Sequence, residues 1–148
     1  MHRPEERQEA VDLFNHVWTL IELPERTPEQ DDEMIHAAHA SRHHWAAVGT
    51  GVNLARGEWQ ISRVYVTLGR GEPALFHAGR CLAYCEANTD EIADWDVPFA
   101  YEALARAHMT AGNREEAERQ AARARELASQ VADEHDREHL EEELTTLP

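Results

Sequence analysis

The sequence predicts an all-α fold: stacked antiparallel helical hairpins, about seven helices, the last a C-terminal cap. Three observations lead there. Apolar residues recur at helical spacing between breaks rich in Gly and Pro. No segment sustains the period-two alternation of a strand. Small residues also repeat at a fixed offset, with Ser62, Ala74 and Cys81 falling on Ala105, Ala117 and Ala124, each 43 residues on.

Helix 1 is expected over Pro4–Glu22. Pro4 suits a first turn, Glu5, Glu6 and Glu9 favour the positive end of the helix dipole, and Val11, Phe14, Val17, Trp18 and Ile21 form an apolar stripe. Pro24 and Pro28 break the chain, so Leu23–Gln30 reads as a loop. Helix 2 follows over Asp31–Val48, capped by Thr27 or Asp31 and ended by Gly49-Thr50-Gly51. Helix 3 is placed over Leu54–Leu68; the β-prone residues of Ile61–Leu68 are assigned to helix because Gly69-Arg70-Gly71 then closes a hairpin with helix 4, Pro73–Ala87. Asn88–Pro98 is a long acidic loop holding Trp95. Helix 5 (Pro98–Thr110) and helix 6 (Arg114–Ala132) flank the Ala111-Gly112-Asn113 turn. A last helix from Asp133 to Leu147 exposes charge outside an apolar seam of Val131, Leu140, Leu144 and Leu147, as a terminal cap should.

The offset extends to Tyr65 on His108, Gly69 on Gly112 and Ala78 on Ala121. Two helices joined by a Gly turn approach closely only where small residues meet, and these positions supply them. The pattern Tyr101-x-x-Leu104-Ala105-x-x-His108, the Gly turn, then Ala117 and Ala124, resembles the tetratricopeptide repeat. Here His108 stands for the family's aromatic, Ala121 for its Phe, and no Pro closes the unit. The resemblance is fullest over 99–128, thinner over 58–87, where Glu58 takes the first aromatic position, and thinnest over 5–48, where Ala40 and Ala47 precede Ala74 and Cys81 by the family period. The excess over that period falls in the Asn88–Pro98 loop. The resemblance implies a right-handed superhelical stack with a concave face and, usually, protein or peptide binding.

A chain of 148 residues predicts one domain, residues 1–148, able to bury a core without staples. No apolar run reaches the length of a membrane span, and Met1–Glu6 lacks the apolar core of a signal peptide. Cys81 and Cys85 form no secreted framework, so a cytoplasmic location is expected. A net charge of −15 argues against nucleic acid and anionic membrane as partners. The absence of lysine excludes Schiff-base chemistry and a P-loop.

Against this acidity stands an island, His36–Arg80, with five arginines (Arg42, Arg56, Arg63, Arg70, Arg80) and two acids (Glu58, Glu72); the remainder carries 27 acids against 9 arginines. His36, His39 and His43 share a face of helix 2 within about 60°. Imidazoles so spaced can share a metal, but His39-Ala-Ser-Arg-His43 lacks the acid of a His-Glu-x-x-His zinc site, so no metal or other cofactor is assigned. His77, Cys81 and Cys85 align on helix 4, with Cys81 taken as a packing residue. Ser41 with His44, or Cys81 with His77, has the residue types of a nucleophile and base without any surrounding motif, and no catalytic residue is assigned. Trp59 and Arg63 on one face of helix 3 either line a groove as a stacking surface and carboxylate fork, or pack in the core with Arg63 paired to Asp94 or Asp96. Asp94-Trp95-Asp96 reads either as an anchor that pins the loop or as a lid over the groove, with the anchor preferred. The acidic runs Glu29–Glu33 and Glu141–Glu143 are read as solvated helix ends.

The expected function is therefore a non-enzymatic module binding a protein or peptide with acidic groups, in a groove formed by helices 1, 3 and 5. Its expected ligand-binding residues are His39, His43, Trp59, Arg63, His77, Asp94, Trp95 and Asp96. The alternatives are a metal-dependent or acid–base enzyme using the helix 2 histidines, and a structural homo-oligomer without a small ligand.

Overall fold

A computed structural model describes residues 3–148, and its regular structure is entirely helical: α1 (Arg3–Ile21), α2 (Pro28–Val48), α3 (Gly51–Thr67), α4 (Gly71–Ala87), α5 (Asp96–Thr110), α6 (Arg114–Ala128) and α7 (Glu134–Leu144). The β-prone run from Ile61 lies within α3 and its cap. Helices pack in sequential pairs, α1 on α2, α3 on α4 and α5 on α6, and the pairs stack on one another with α7 against α5 and α6.

Close approach is built from small side chains. Ala74, Ala78 and Cys81 of α4 are buried with Ser62 of α3, whose Oγ donates to the Ala74 carbonyl at 2.9 Å. Ala105 of α5 and Ala117, Ala121 and Ala124 of α6 are fully buried at the offset positions. In the first hairpin the close approach falls elsewhere than at Ala40 and Ala47: Ala47 is exposed, and Ser41 of α2 donates to the Ala10 carbonyl at 2.8 Å. The two Gly turns are equivalent in detail. Gly69 (φ 74°) and Gly112 (φ 84°) occupy the left-handed region that a Cβ disfavours. The following amides, of Arg70 and Asn113, each donate at 2.8 Å to the carbonyl five residues back, Tyr65 and His108. This is the Schellman ending that glycine at that position permits.

Helix boundaries move where capping chemistry overrides apolar spacing. α2 begins three residues early because Thr27 and Gln30 form a capping box, Gln30 N–H on Thr27 Oγ1 (3.2 Å) and Thr27 N–H on Gln30 Oε1 (2.9 Å), with Pro28 in the first turn. α3 begins at Gly51, behind a Thr50 N–H bond to Asn53 Oδ1. α5 starts at Asp96, and α7 follows Asp133, whose carboxylate accepts the Asp136 amide at 2.8 Å. α6 stops at Ala128, four residues early, and α7 stops at Leu144, although Val131 and Leu147 remain buried.

The stack is asymmetric. Odd-numbered helices touch in a row, α1 to α3 to α5 to α7. Even-numbered helices make no close backbone contact with one another among the described residues, and long side chains bridge the gap between α2 and α4 instead.

Candidate functional site

The row of odd helices walls a cavity of about 580 Å³. Phe14 and Trp18 come from α1, Trp59 from α3, and Phe99 from α5, with Trp95 just before it. Their rings form one continuous wall. Phe14 meets Trp18 edge-on at 6.4 Å between centroids, Trp18 leans on Trp59 at 5.5 Å, Trp59 meets Phe99 at 5.7 Å, and Phe99 meets Trp95 at 6.1 Å. Helix α7 faces this wall with Asp136, His139 and Glu143. The apolar stripe read for helix 1 thus has two jobs: Val17 enters the core with Leu20, Met34 and Ile61, while Phe14 and Trp18 turn to the cavity.

Two buried carboxylates fix the aromatic wall. Glu102 of α5 has no exposed surface and accepts from Trp59 Nε1 (3.0 Å), Arg63 Nη2 (3.2 Å) and Arg106 Nε. Trp59 and Glu102 are themselves 43 residues apart, so this bond joins equivalent positions of successive hairpins. Asp96 takes both Nε and Nη2 of Arg56 at 3.0 Å and also the Ala93 amide at 2.8 Å. The fork holds the Arg56 guanidinium 4.3 Å over the Trp95 ring, and Arg63 lies 5.3 Å over Trp59.

A second polar cluster bridges α2, α3 and α4, away from the residues lining the cavity. Buried Glu58 accepts from Arg42 Nε (2.8 Å) and His77 Nδ1 (2.7 Å), and Arg42 reaches the Tyr84 hydroxyl at 3.0 Å. His39 Nε2 and the Tyr65 hydroxyl share a bond of 2.9 Å, and the His77 ring stacks on Tyr65. Burial pushes the Glu58 carboxyl up, but the bonds and charges of His77 and Arg42 outweigh it and leave the group below its ordinary value. Burial, then the neighbouring His77, lowers His39.

The eight residues singled out from sequence therefore occupy several places. Trp59, Trp95 and Asp96 line the cavity, and Arg63 stands beside it between Glu102 and Glu143 (3.3 Å). His39 and His77 belong to the interhelical cluster. His43 is exposed against His44, and Asp94 is exposed and accepts the Ala132 amide at 3.0 Å. Arg63 is not paired to Asp94 or Asp96, as the packing alternative expected. Register across the stack gives it Glu102 and Glu143, and Asp96 goes to Arg56. Nor are the acidic runs wholly solvated, since Asp31 binds Arg26 at 2.8 Å and Glu143 binds Arg63.

Neither nucleophile pair suggested by sequence forms. Ser41 is buried on the Ala10 carbonyl, and His77 is turned to Glu58. The Cys81 thiol is pushed well up by its contact with Cys85 and by burial, which disfavours the nucleophilic thiolate. His36 and His43 are exposed while His39 is half-buried, and among the described residues no group of three or more His, Cys, Asp or Glu could hold a metal ion.

Phe14, Trp18, Arg56, Phe99, Glu102, Asp136, His139 and Glu143 also shape the site and were not among the sequence candidates. For Glu102 a signal exists: a carboxylate 43 residues after Trp59, within the apolar core of the repeat. For the α7 residues the local sequence holds none, because their role depends on where the last helix folds back. No protein-family model, curated protein or solved structure matches this chain.

Proposed function

We propose that this protein is a tetratricopeptide-like, non-enzymatic module that binds a peptide segment of a partner protein in the aromatic cavity of the odd-numbered helices. One observation carries the reading: five aromatic rings, from three successive hairpins, line a single cavity large enough for several side chains. Rigid aromatic surface held by buried hydrogen bonds loses little entropy on binding, and Trp and Tyr dominate peptide-binding hot spots for that reason. The doubled Schellman turns and the 43-residue register of small residues support the repeat assignment. Two free buried thiols suit a reducing cytoplasm, and no described helix is long and apolar enough to cross a membrane.

Selection of displayed random peptides on the purified chain tests the proposal. Selected peptides should compete with one another and shift the tryptophan indole resonances of Trp18, Trp59 and Trp95. Their affinity should fall about tenfold or more for Trp18→Ala. Peptides that bind without moving those resonances, or a selection yielding none above background, would overturn it.

A further inference from the structure

The occupant's chemistry follows from the charges around the ring wall, and this inference rests on the cavity being the binding site. Seven ionisable side chains line it: Glu22, Arg56, Cys81, Asp96, Asp136, His139 and Glu143. Arg56 is consumed by Asp96, and Glu143 is shared with Arg63. Glu22 and Asp136 have no ion pair among the described residues. Arg26, near Glu22 in the chain, is committed to Asp31 and to the carbonyls of Leu20, Ile21 and Leu23. The cavity therefore keeps uncompensated negative charge on two sides, at Glu22 just after α1 and at Asp136 of α7.

The ring faces are equally uneven. Trp59 and Trp95 already carry intramolecular guanidiniums, from Arg63 and Arg56. Trp18 carries none among the described residues, is half-buried, and stands one helical turn before Glu22. A cavity-lining indole without a cation of its own, one turn from an unpaired carboxylate, is the pairing that holds a cation: the ring quadrupole attracts it, the stem packs on the ring, and the carboxylate fixes the charge. The protein already makes this arrangement twice with its own arginines, Arg56 between Trp95 and Asp96, and Arg63 between Trp59 and Glu102.

We infer that the cavity takes a basic peptide segment, with an Arg or Lys side chain lying on Trp18 and its charge directed to Glu22 and Asp136. This reverses the acidic partner suggested by the composition of the Arg/His island. Of its arginines, Arg42, Arg56 and Arg63 are bound to the chain's own carboxylates.

The test uses the full chain and three blocked peptides that differ only in one central residue, arginine, glutamine or glutamate, between leucines. Binding is read from tryptophan emission and indole resonances. The arginine peptide should bind about tenfold more tightly than the glutamine one, and the glutamate peptide most weakly. In a Glu22→Gln/Asp136→Asn variant, checked for an unchanged melting temperature, the arginine preference should shrink to about threefold or less while glutamine-peptide binding holds. Equal binding of the arginine and glutamine peptides would overturn the inference and leave peptide binding standing; tighter binding of the glutamate peptide would do the same. Binding of phenyltrimethylammonium alone, lost in the double variant, would support a cation site and overturn peptide binding. No binding of any probe at millimolar concentration overturns both.

Discussion

Replacing Glu102 with alanine removes a buried charge that ties α3 to α5, the Arg56–Asp96 pair being left in place. The carboxylate is fully buried and accepts three donors, the Trp59 indole N–H, Arg63 and Arg106. Stripping one partner from a buried charge network costs about 3–5 kcal/mol. Here the lower half of that range applies, because neither guanidinium is orphaned. Arg63 keeps Glu143 Oε2 at 3.3 Å, and Arg106 keeps the Glu143 carbonyl at 3.0 Å and Thr146 Oγ1 at 2.9 Å. The indole N–H does lose its partner, a cost of about 1–3 kcal/mol contained in that figure. Glu102→Ala should therefore lose about 3–4 kcal/mol, seen as a melting temperature lower by about 10 °C at this chain length. Glu102→Gln keeps an acceptor for Trp59 but turns a donor toward arginine, and should lose about 2 kcal/mol. The control is Glu118→Ala, which breaks an exposed pair with Arg114 and should cost under about 0.5 kcal/mol. Thermal and urea unfolding of the three variants measures the order. If Glu102→Ala costs no more than Glu118→Ala, the buried carboxylate is not what fixes the wall. Near-UV circular dichroism should also weaken for Glu102→Ala, since Trp59 loses its anchor.

Two further expectations concern pH and glycine. His39 has a folded-state pKa below its ordinary value, so the unfolded chain takes up that proton first and stability falls as pH drops through about 6.5. Glu58, also lowered, adds stability that is full above the ordinary carboxylate value and fades as pH falls below about 4.3. Urea midpoints across pH should show His39→Gln flattening the upper decline and Glu58→Gln the lower; unchanged slopes would count against this assignment. A Cβ at Gly71 would lie 2.6 Å from Ala111 Cα and N, whereas one at Gly79 meets nothing within 4 Å. Gly71→Ala should cost about 1–3 kcal/mol and Gly79→Ala should gain about 0.5–1 kcal/mol by thermal unfolding, and equal effects would refute the packing argument.

Features repeated in the chain were legible in the sequence; features made by its return on itself were not. Ser62, Ala74 and Ala121 announce helix contacts because only small side chains permit them, and Gly69 and Gly112 announce turns because other residues resist positive φ. Of the two caps the sequence offers for helix 2, Thr27 and Asp31, the capping box with Gln30 selects Thr27 and sets the start at Pro28. Trp59, Trp95 and Asp96 stood out by type, and they do line the cavity. The helix 2 histidines stood out equally, yet His39 turns inward to Tyr65 while His43 stays in water, because a helical face about 60° wide is easily divided between a neighbour and solvent. Phe14 and Trp18 were indistinguishable from core residues, since one apolar stripe serves both the interior and a cavity. Asp136, His139 and Glu143 were hidden among the acids of a water-facing helix.

Helix α7 is fastened in an unusual manner. Arg106 and Arg125, from the two helices beneath it, donate to the main-chain carbonyls of Glu143, Leu144 and Leu147. Those carbonyls belong to the last turn of α7 and the residues just after it, and every residue type carries one. The clasp therefore depends little on which side chains α7 presents, and a carbonyl neither titrates nor changes charge. Leu140 and Leu144 must stay apolar to seat the helix, but Asp136, His139 and the Glu143 side chain can be exchanged without undoing it. One wall of the cavity is thus free to drift in charge and shape while its position is kept. Substitutions on that wall should therefore change the cavity's lining at small cost to folding.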